Sequence, residues 1–136
     1  MPQILEISTK GRGLYEFSDQ LSSVVSGEGV LSLFVRHTSC SLLIQENADP
    51  DVCTDLNEFF HRLVPPANDP SMSYLTHTYE GFDDMPAHIK SAMLPVSLTI
   101  PVISGRLMLG TWQGIYLFEH RDNPHVRQVV ATMIFA

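Results

Sequence analysis

Val96–Phe135 reads VSLTIPVISGRLMLGTWQGIYLFEHRDNPHVRQVVATMIF, and its pattern decides the fold. Residues 96–103, 115–121 and 126–135 read as strands bounded by turn residues. Ser104-Gly105 is a hairpin signal that returns the first run through Arg106–Leu109. Pro101 has no N–H for a ladder, so it suggests an edge or a bulge. Asp122-Asn123-Pro124 is the turn joining the last two runs. Gly110–Gly114, GTWQG, interrupts the pattern. Its glycines would let main-chain N–H groups approach a ligand, with Trp112 free to stack on a ring or to serve as core.

Working back from this stretch, residues 30–37, 40–46 and 3–9 read as further strands. Lys10–Gly13 is a turn and Leu14–Phe17 a returning strand. Ser18-Asp19 opens a short helix that Gly27 stops. Asp49 is an N-cap candidate with Pro50 at the first helical position. Val52, Leu56, Phe59, Phe60 and Leu63 then recur at helical spacing until Pro65-Pro66. Tyr74–Thr78 is a short strand candidate. About eight strands, mostly hairpin-linked, with two or three helices give an α+β domain on antiparallel sheets, a single domain over residues 1–136.

Composition narrows the function classes. The chain has 136 residues, 44% of them hydrophobic, enough for one core without metals or disulfides. The formal net charge is −7 with only eight Lys plus Arg and no basic run. That excludes duplex nucleic acid or an anionic membrane as the main partner, but not a small anionic ligand. Cys40 and Cys53 match no zinc or disulfide spacing and read as free thiols in a reducing compartment. No signal pattern and no membrane-length apolar run is present. The expectation is a soluble cytoplasmic protein.

The chemistry concentrates in His77–Lys90, HTYEGFDDMPAHIK. A helix beginning at Asp84 or Met85, with Asp84 as cap and Pro86 in the first turn, sets His88 one turn on and within reach of the Asp84 carboxylate. Free N–H groups at such a helix start favour an anion. His37-Thr38-Ser39, at a strand junction, offers an imidazole and two hydroxyls for general-base work or phosphate binding. Glu46-Asn47 lies at the far end of the next strand. Alternation puts Glu119 and Arg121 on one face of their strand and His120 on the other, and Arg121 reads as a solvated strand end. His61 and His125 read as surface residues. No HExxH, Walker loop, GxGxxG or GxSxG occurs.

Several separated motifs, HTSCSLLIQENADPDV, EGFDDMPAHIK, SLTIPVISGRLMLGTWQGIYLFEHRD and VVATMIF, resemble the YjbQ-like family. A secondary thiamine-phosphate synthase activity is attributed to that family. The resemblance runs from about Leu31 to the C-terminal strand. It implies an antiparallel β-sandwich-like fold with flanking helices, assembled as a homotrimer. It also implies a polar pocket near a subunit contact, built from His37, Thr38, Ser39, Asn47, Asp84, His88 and the loop Gly110, Thr111, Trp112, Gln113. Cys40 follows the HTS motif where alanine is equally acceptable, so it is not expected to be a nucleophile.

The first expectation is therefore a transferase that joins two small phosphorylated heterocycles. A pyrimidine-methyl pyrophosphate loses pyrophosphate, and a thiazole-phosphate nitrogen captures the carbocation-like carbon. The departing charge needs a cation or N–H donors. Lys90, Thr38, Ser39 and Thr111 are candidates, with Mg²⁺ or Zn²⁺ held by Asp84 or Glu46. His37, Asp84 and His88 form the expected divalent-metal and catalytic set, with His77 the substitute if His37 points elsewhere. The rivals are a trimeric metal- or phosphorylated-ligand-binding protein and a phosphate-ester hydrolase.

Overall fold

Eight strands form two antiparallel sheets in the computed structural model, which describes residues 1–136. The strands are β1 (Gln3–Thr9), β2 (Gly13–Glu16), β3 (Gly29–Val35), β4 (Cys40–Glu46), β5 (Ser97–Ile103), β6 (Arg106–Leu107), β7 (Gln113–Glu119) and β8 (His125–Phe135). The larger sheet has the order β1-β8-β3-β5-β6 and the smaller β2-β7-β4. Helices α1 (Pro50–Leu63) and α2 (Asp84–Met93) and two 3-10 turns, Ser18–Ser23 and Pro70–Met72, complete the chain.

Strand alternation builds one core between the sheets. Ile7, Leu31, Leu33, Val35, Ile100, Val129 and Ala131 face inward from the larger sheet; Cys40, Leu42, Ile115 and Leu117 meet them from the smaller. Phe17 and Leu21 close one end. The opposite face of the smaller sheet carries Ser41, Phe118 and His120, all buried. Phe60 of α1 meets Phe118 there edge-on, ring centres 5.8 Å apart. The α+β sandwich with flanking helices is thus the observed architecture.

The connectivity differs from the expected hairpins. Only β5 and β6 are neighbours both in sequence and in a sheet. Their turn has Ser104 at φ 51° and Gly105 at φ 71°, the two positive angles that suit right-twisted strands. The turns at Lys10–Gly13 and Asp122–Pro124 instead carry the chain from one sheet to the other. Both flanking strands at each turn present core residues, so burial is gained by facing sheets rather than by pairing. Tyr74–Thr78 is loop, not strand. Helix α1 is capped as expected, Asp49 accepting from the Asp51 N–H. Its apolar stripe is half used, because Phe59 and Leu63 stay exposed.

Candidate metal centre and groove

Helix α2 begins at Asp84, but Asp83 occupies the cap position and neither carboxylate caps the helix through its side chain. The expected Asp84 cap is therefore corrected. Its carboxylate is drawn away by three partners. Arg121 Nη1 lies 2.7 Å from Oδ1, His77 Nε2 2.6 Å from Oδ2 and His88 Nε2 3.2 Å from the same Oδ2. The His88 contact is the i, i+4 pairing the helix spacing demands. His77 reaches in from the preceding loop, and the two imidazole rings stand 5.7 Å apart.

Asp84 is buried while the two histidines are partly exposed. Burial works to raise its pKa, but the hydrogen bond from His77 and the charges of Arg121 and His88 outweigh it, and the net shift is downward. Arg121 is not a solvated strand end. Its Nε donates to Asp83 Oδ2 at 2.8 Å and its Nη2 to the Glu80 carbonyl. It braces both aspartates, and no local sequence signal marks that role.

The ligand atoms of His77, Asp84 and His88 lie within 4.8 Å of one another. His37 stands apart from them. Its Nε2 accepts the Gln128 N–H at 2.8 Å, so the proton of the neutral ring sits on Nδ1. Burial first, then Arg127, lowers its pKa. The substitute ligand, His77, occupies the place considered for His37. His37, Thr38, Ser39, Phe34 and Arg36 line an open groove of about 580 Å³. A contiguous hollow of about 370 Å³ runs from His37 and Thr38 to His88 and Ser91. Of the three residues, His88 lines the hollow that reaches the HTS segment.

Other expected site residues lie elsewhere. Glu46 and Asn47 end β4 at the opposite end from Cys40, roughly 20 Å away along a seven-residue strand. The GTWQG loop lies with them: the Asn47 N–H donates to the Trp112 carbonyl, and Gln113 caps Gly110 through its side chain. Trp112 is exposed, not core. Lys90 is also displaced, because two residues beyond His88 a helical side chain faces the other way. It is buried under the helices.

A model of the YjbQ-like UPF0047 proteins matches residues 3–136. The chain belongs to the YjbQ-like UPF0047 family. Family relatives include a UPF0047 protein of Synechocystis, 52% identical over 132 residues that cover 94% of this chain and 87% of the relative. The UPF0047 protein YjbQ of Escherichia coli O157:H7 is 43% identical, covering 95% of this chain and 94% of its own. Among solved structures, a conserved hypothetical protein from Thermus thermophilus matches with TM-score 0.84 and 35% identity, covering 97% of this chain and 99% of that one. The YjbQ-like family thus accounts for the whole sandwich. None of these names states an activity.

Proposed function

We propose that this YjbQ-like protein binds a divalent metal through His77, Asp84 and His88 and holds a small phosphorylated metabolite in the adjoining groove, as a transferase of the thiamine-phosphate synthase type. One observation carries the metal reading. The Thr38 carbonyl lies 2.8 Å from His88 Nδ1 and so takes its N–H. In the neutral ring that leaves the Nε2 lone pair facing Asp84 Oδ2 at 3.2 Å, while His77 Nε2 crowds the same oxygen. Two lone pairs at that distance repel unless a proton or a metal lies between them. A backbone carbonyl that fixes the outer nitrogen is the usual support of a metal-bound histidine. Two imidazoles and one carboxylate suit zinc better than magnesium, which prefers oxygen throughout.

When bound, the cation supplies charge neutralisation to a leaving pyrophosphate. Thr38 and Ser39 hydroxyls donate to phosphate oxygens in the groove, and the His37 Nδ1–H adds a third donor. In the transfer, the carbon–oxygen bond to pyrophosphate breaks with the electron pair leaving on oxygen. The thiazole nitrogen then gives its lone pair to the same carbon.

The reading includes assembly as a homotrimer. The outer face of the larger sheet exposes Ile4, Phe34, Val126 and Ile134. Ile4 and Phe34 flank Val130 in register. Such a face is an association surface. Because the His37 and Asn47 ends of β4 are far apart, a pocket that uses both ends needs two copies. The number three comes from the family resemblance. Free Cys40 and Cys53 suit a cytoplasmic setting, and no helix is long and apolar enough to cross a membrane.

A binding protein with incidental synthase activity is the second reading. It is favoured by the shortage of free cations: Lys90 is buried, Arg121 holds two aspartates and Arg127 holds Glu119. Only Arg36 lines the groove. The zinc-loaded protein should be given both heterocyclic phosphates and pyrophosphate release followed. Turnover lost in His88→Ala supports the transferase. Tight binding without turnover supports the second reading, and phosphate release from single substrates would reveal a hydrolase instead.

A further inference from the structure

The open groove is lined by residues 34–39, a stretch that holds no carboxylate. Successive carbonyls at its end are occupied from behind. The Thr38 carbonyl takes the His88 Nδ1–H at 2.8 Å. The Ser39 carbonyl accepts from Arg127 Nη2 and from the His120 N–H, each at 3.3 Å. The Cys40 carbonyl accepts from Ser91 Oγ at 3.2 Å. In a planar trans peptide the next N–H points opposite to the carbonyl, so the Ser39 N–H is turned away from α2.

The donors of the same stretch are unused. The main-chain N–H groups of His37, Thr38 and Ser39 reach no acceptor within the chain. The Thr38 and Ser39 hydroxyls have no partner either, although both residues line the groove. Ser39 is only 9% exposed, and a buried hydroxyl without a partner calls for one.

Gln128 of β8 fixes the two nitrogen-bearing side chains beside them. Its N–H donates to His37 Nε2 at 2.8 Å, its carbonyl accepts the Arg36 N–H at 3.1 Å, and its Oε1 accepts from Arg36 Nη1 at 3.1 Å. A main-chain N–H can only donate, so Nε2 is held as an acceptor and the hydrogen of the neutral ring stays on Nδ1. The side-chain partner of Arg36 is a neutral amide, which leaves the guanidinium charge uncompensated.

A guanidinium, an imidazole N–H, hydroxyls and main-chain N–H groups with no carboxylate among them suit an anion of several oxygens. We infer that Arg36, His37, Thr38 and Ser39 form a metal-independent subsite for a phosphate monoester, the phosphate of the acceptor substrate. The leaving diphosphate then belongs to the metal. The hollow that runs from His37 and Thr38 to His88 lies between the two anions, where the joining carbon and nitrogen meet. The assignment to the acceptor rests on the transferase reading; the anion subsite itself does not.

Metal-free protein should be titrated calorimetrically with inorganic phosphate, and again after loading with zinc. The expected result is saturable binding in both states, weakened about 10-fold or more by Arg36→Met, which loses a charged donor. Arg36 is exposed, so the variant keeps the fold. In turnover, Arg36→Met should raise the KM for the monoester substrate and leave that for the diphosphate substrate unchanged. Phosphate bound only by the zinc-loaded protein, or equally well by wild type and Arg36→Met, overturns the subsite and leaves the metal reading standing. A rise in the diphosphate KM instead overturns the assignment to the acceptor. Phosphate bound by metal-free protein and weakened in Arg36→Met, with no turnover of any substrate pair, establishes the subsite and removes only the transferase reading.

Discussion

Arg121 Nη1 lies 2.7 Å from Asp84 Oδ1, on the opposite oxygen from the one the two imidazoles share. The guanidinium thus holds the carboxylate from behind and turns Oδ2 outward. Replacing Arg121 by Met should lower zinc affinity by about 10–100-fold, the usual effect of losing an outer support. Calorimetric titration of metal-free protein measures it, and an unchanged affinity would remove Arg121 from the site.

His88→Ala removes a ligand and should weaken zinc binding more than Arg121→Met does. His125→Ala should bind as the wild type, since the His125 ring hydrogen-bonds the Asn123 carbonyl through Nδ1, away from the cluster. Ligation needs neutral imidazole, so affinity should fall as the pH is lowered. Equal affinities in wild type and His88→Ala would leave the groove as a metal-free anion pocket.

Glu119 and Arg127 form a buried pair at one end of the core, with Thr9 Oγ1 also donating to the carboxylate at 2.7 Å. Burial opposes the charge, but Arg127 and Thr9 outweigh it and hold the Glu119 pKa below its ordinary 4.5. A depressed acid contributes stability above its unfolded pKa and loses it as pH falls through the folded one. Glu119→Gln should therefore cost about 3–5 kcal/mol near pH 7, by stranding Arg127. Urea unfolding should show that difference narrowing below pH 4.5 (the ordinary value).

Gly29 sits at φ 149°, where a Cβ would collide with the Ile134 carbonyl and lie 2.9 Å from the Phe135 Cα. These are backbone atoms of β8 and cannot swing aside. Gly29→Ala should cost at least about 1–3 kcal/mol. Thermal melting checks this, with Gly13→Ala, which meets nothing within 4 Å, separating backbone strain from collision.

Light scattering should give three times the chain mass of 15.2 kDa for the wild type. Phe34→Glu, which places a charge on the apolar sheet face, should yield monomer. A wild-type protein that is monomeric at micromolar concentration would sink the shared-pocket reading.

Much of the fold was legible because strand composition and helix periodicity are local properties. The Asp49-Pro50 opening, the Ser104-Gly105 hairpin and the α+β class on antiparallel sheets could be read from neighbours in sequence, while the sandwich came from the family resemblance. Which turns close hairpins could not be. Lys10–Gly13 and Asp122–Pro124 have ordinary turn residues, and only the demand to bury both Ile7 and Leu117 sends the chain to the other sheet. At the site, Asp84 and His88 were readable from helical spacing. His77 was readable only as a substitute, because a loop path is not encoded in periodicity. Arg121 was misjudged because a charge after a strand looks solvated until its two aspartates, Asp83 and Asp84, arrive from far back in the chain. The burial of Lys90 and His120 depends on α1 and α2 covering one face of a sheet.

The strand order also has a consequence for synthesis. β8 lies between β1 and β3 in the larger sheet, pairing with both, and it is the last of the eight strands to emerge from the ribosome. Until it arrives, β1 has no partner and β3 has only β5. Nascent chain of this protein must therefore hold two unfinished strand edges through most of translation, the state in which unpaired strands aggregate. The smaller sheet can close earlier, once β7 joins β2 and β4. Folding on the ribosome should proceed from the layer that carries the helices toward the layer that carries the apolar face.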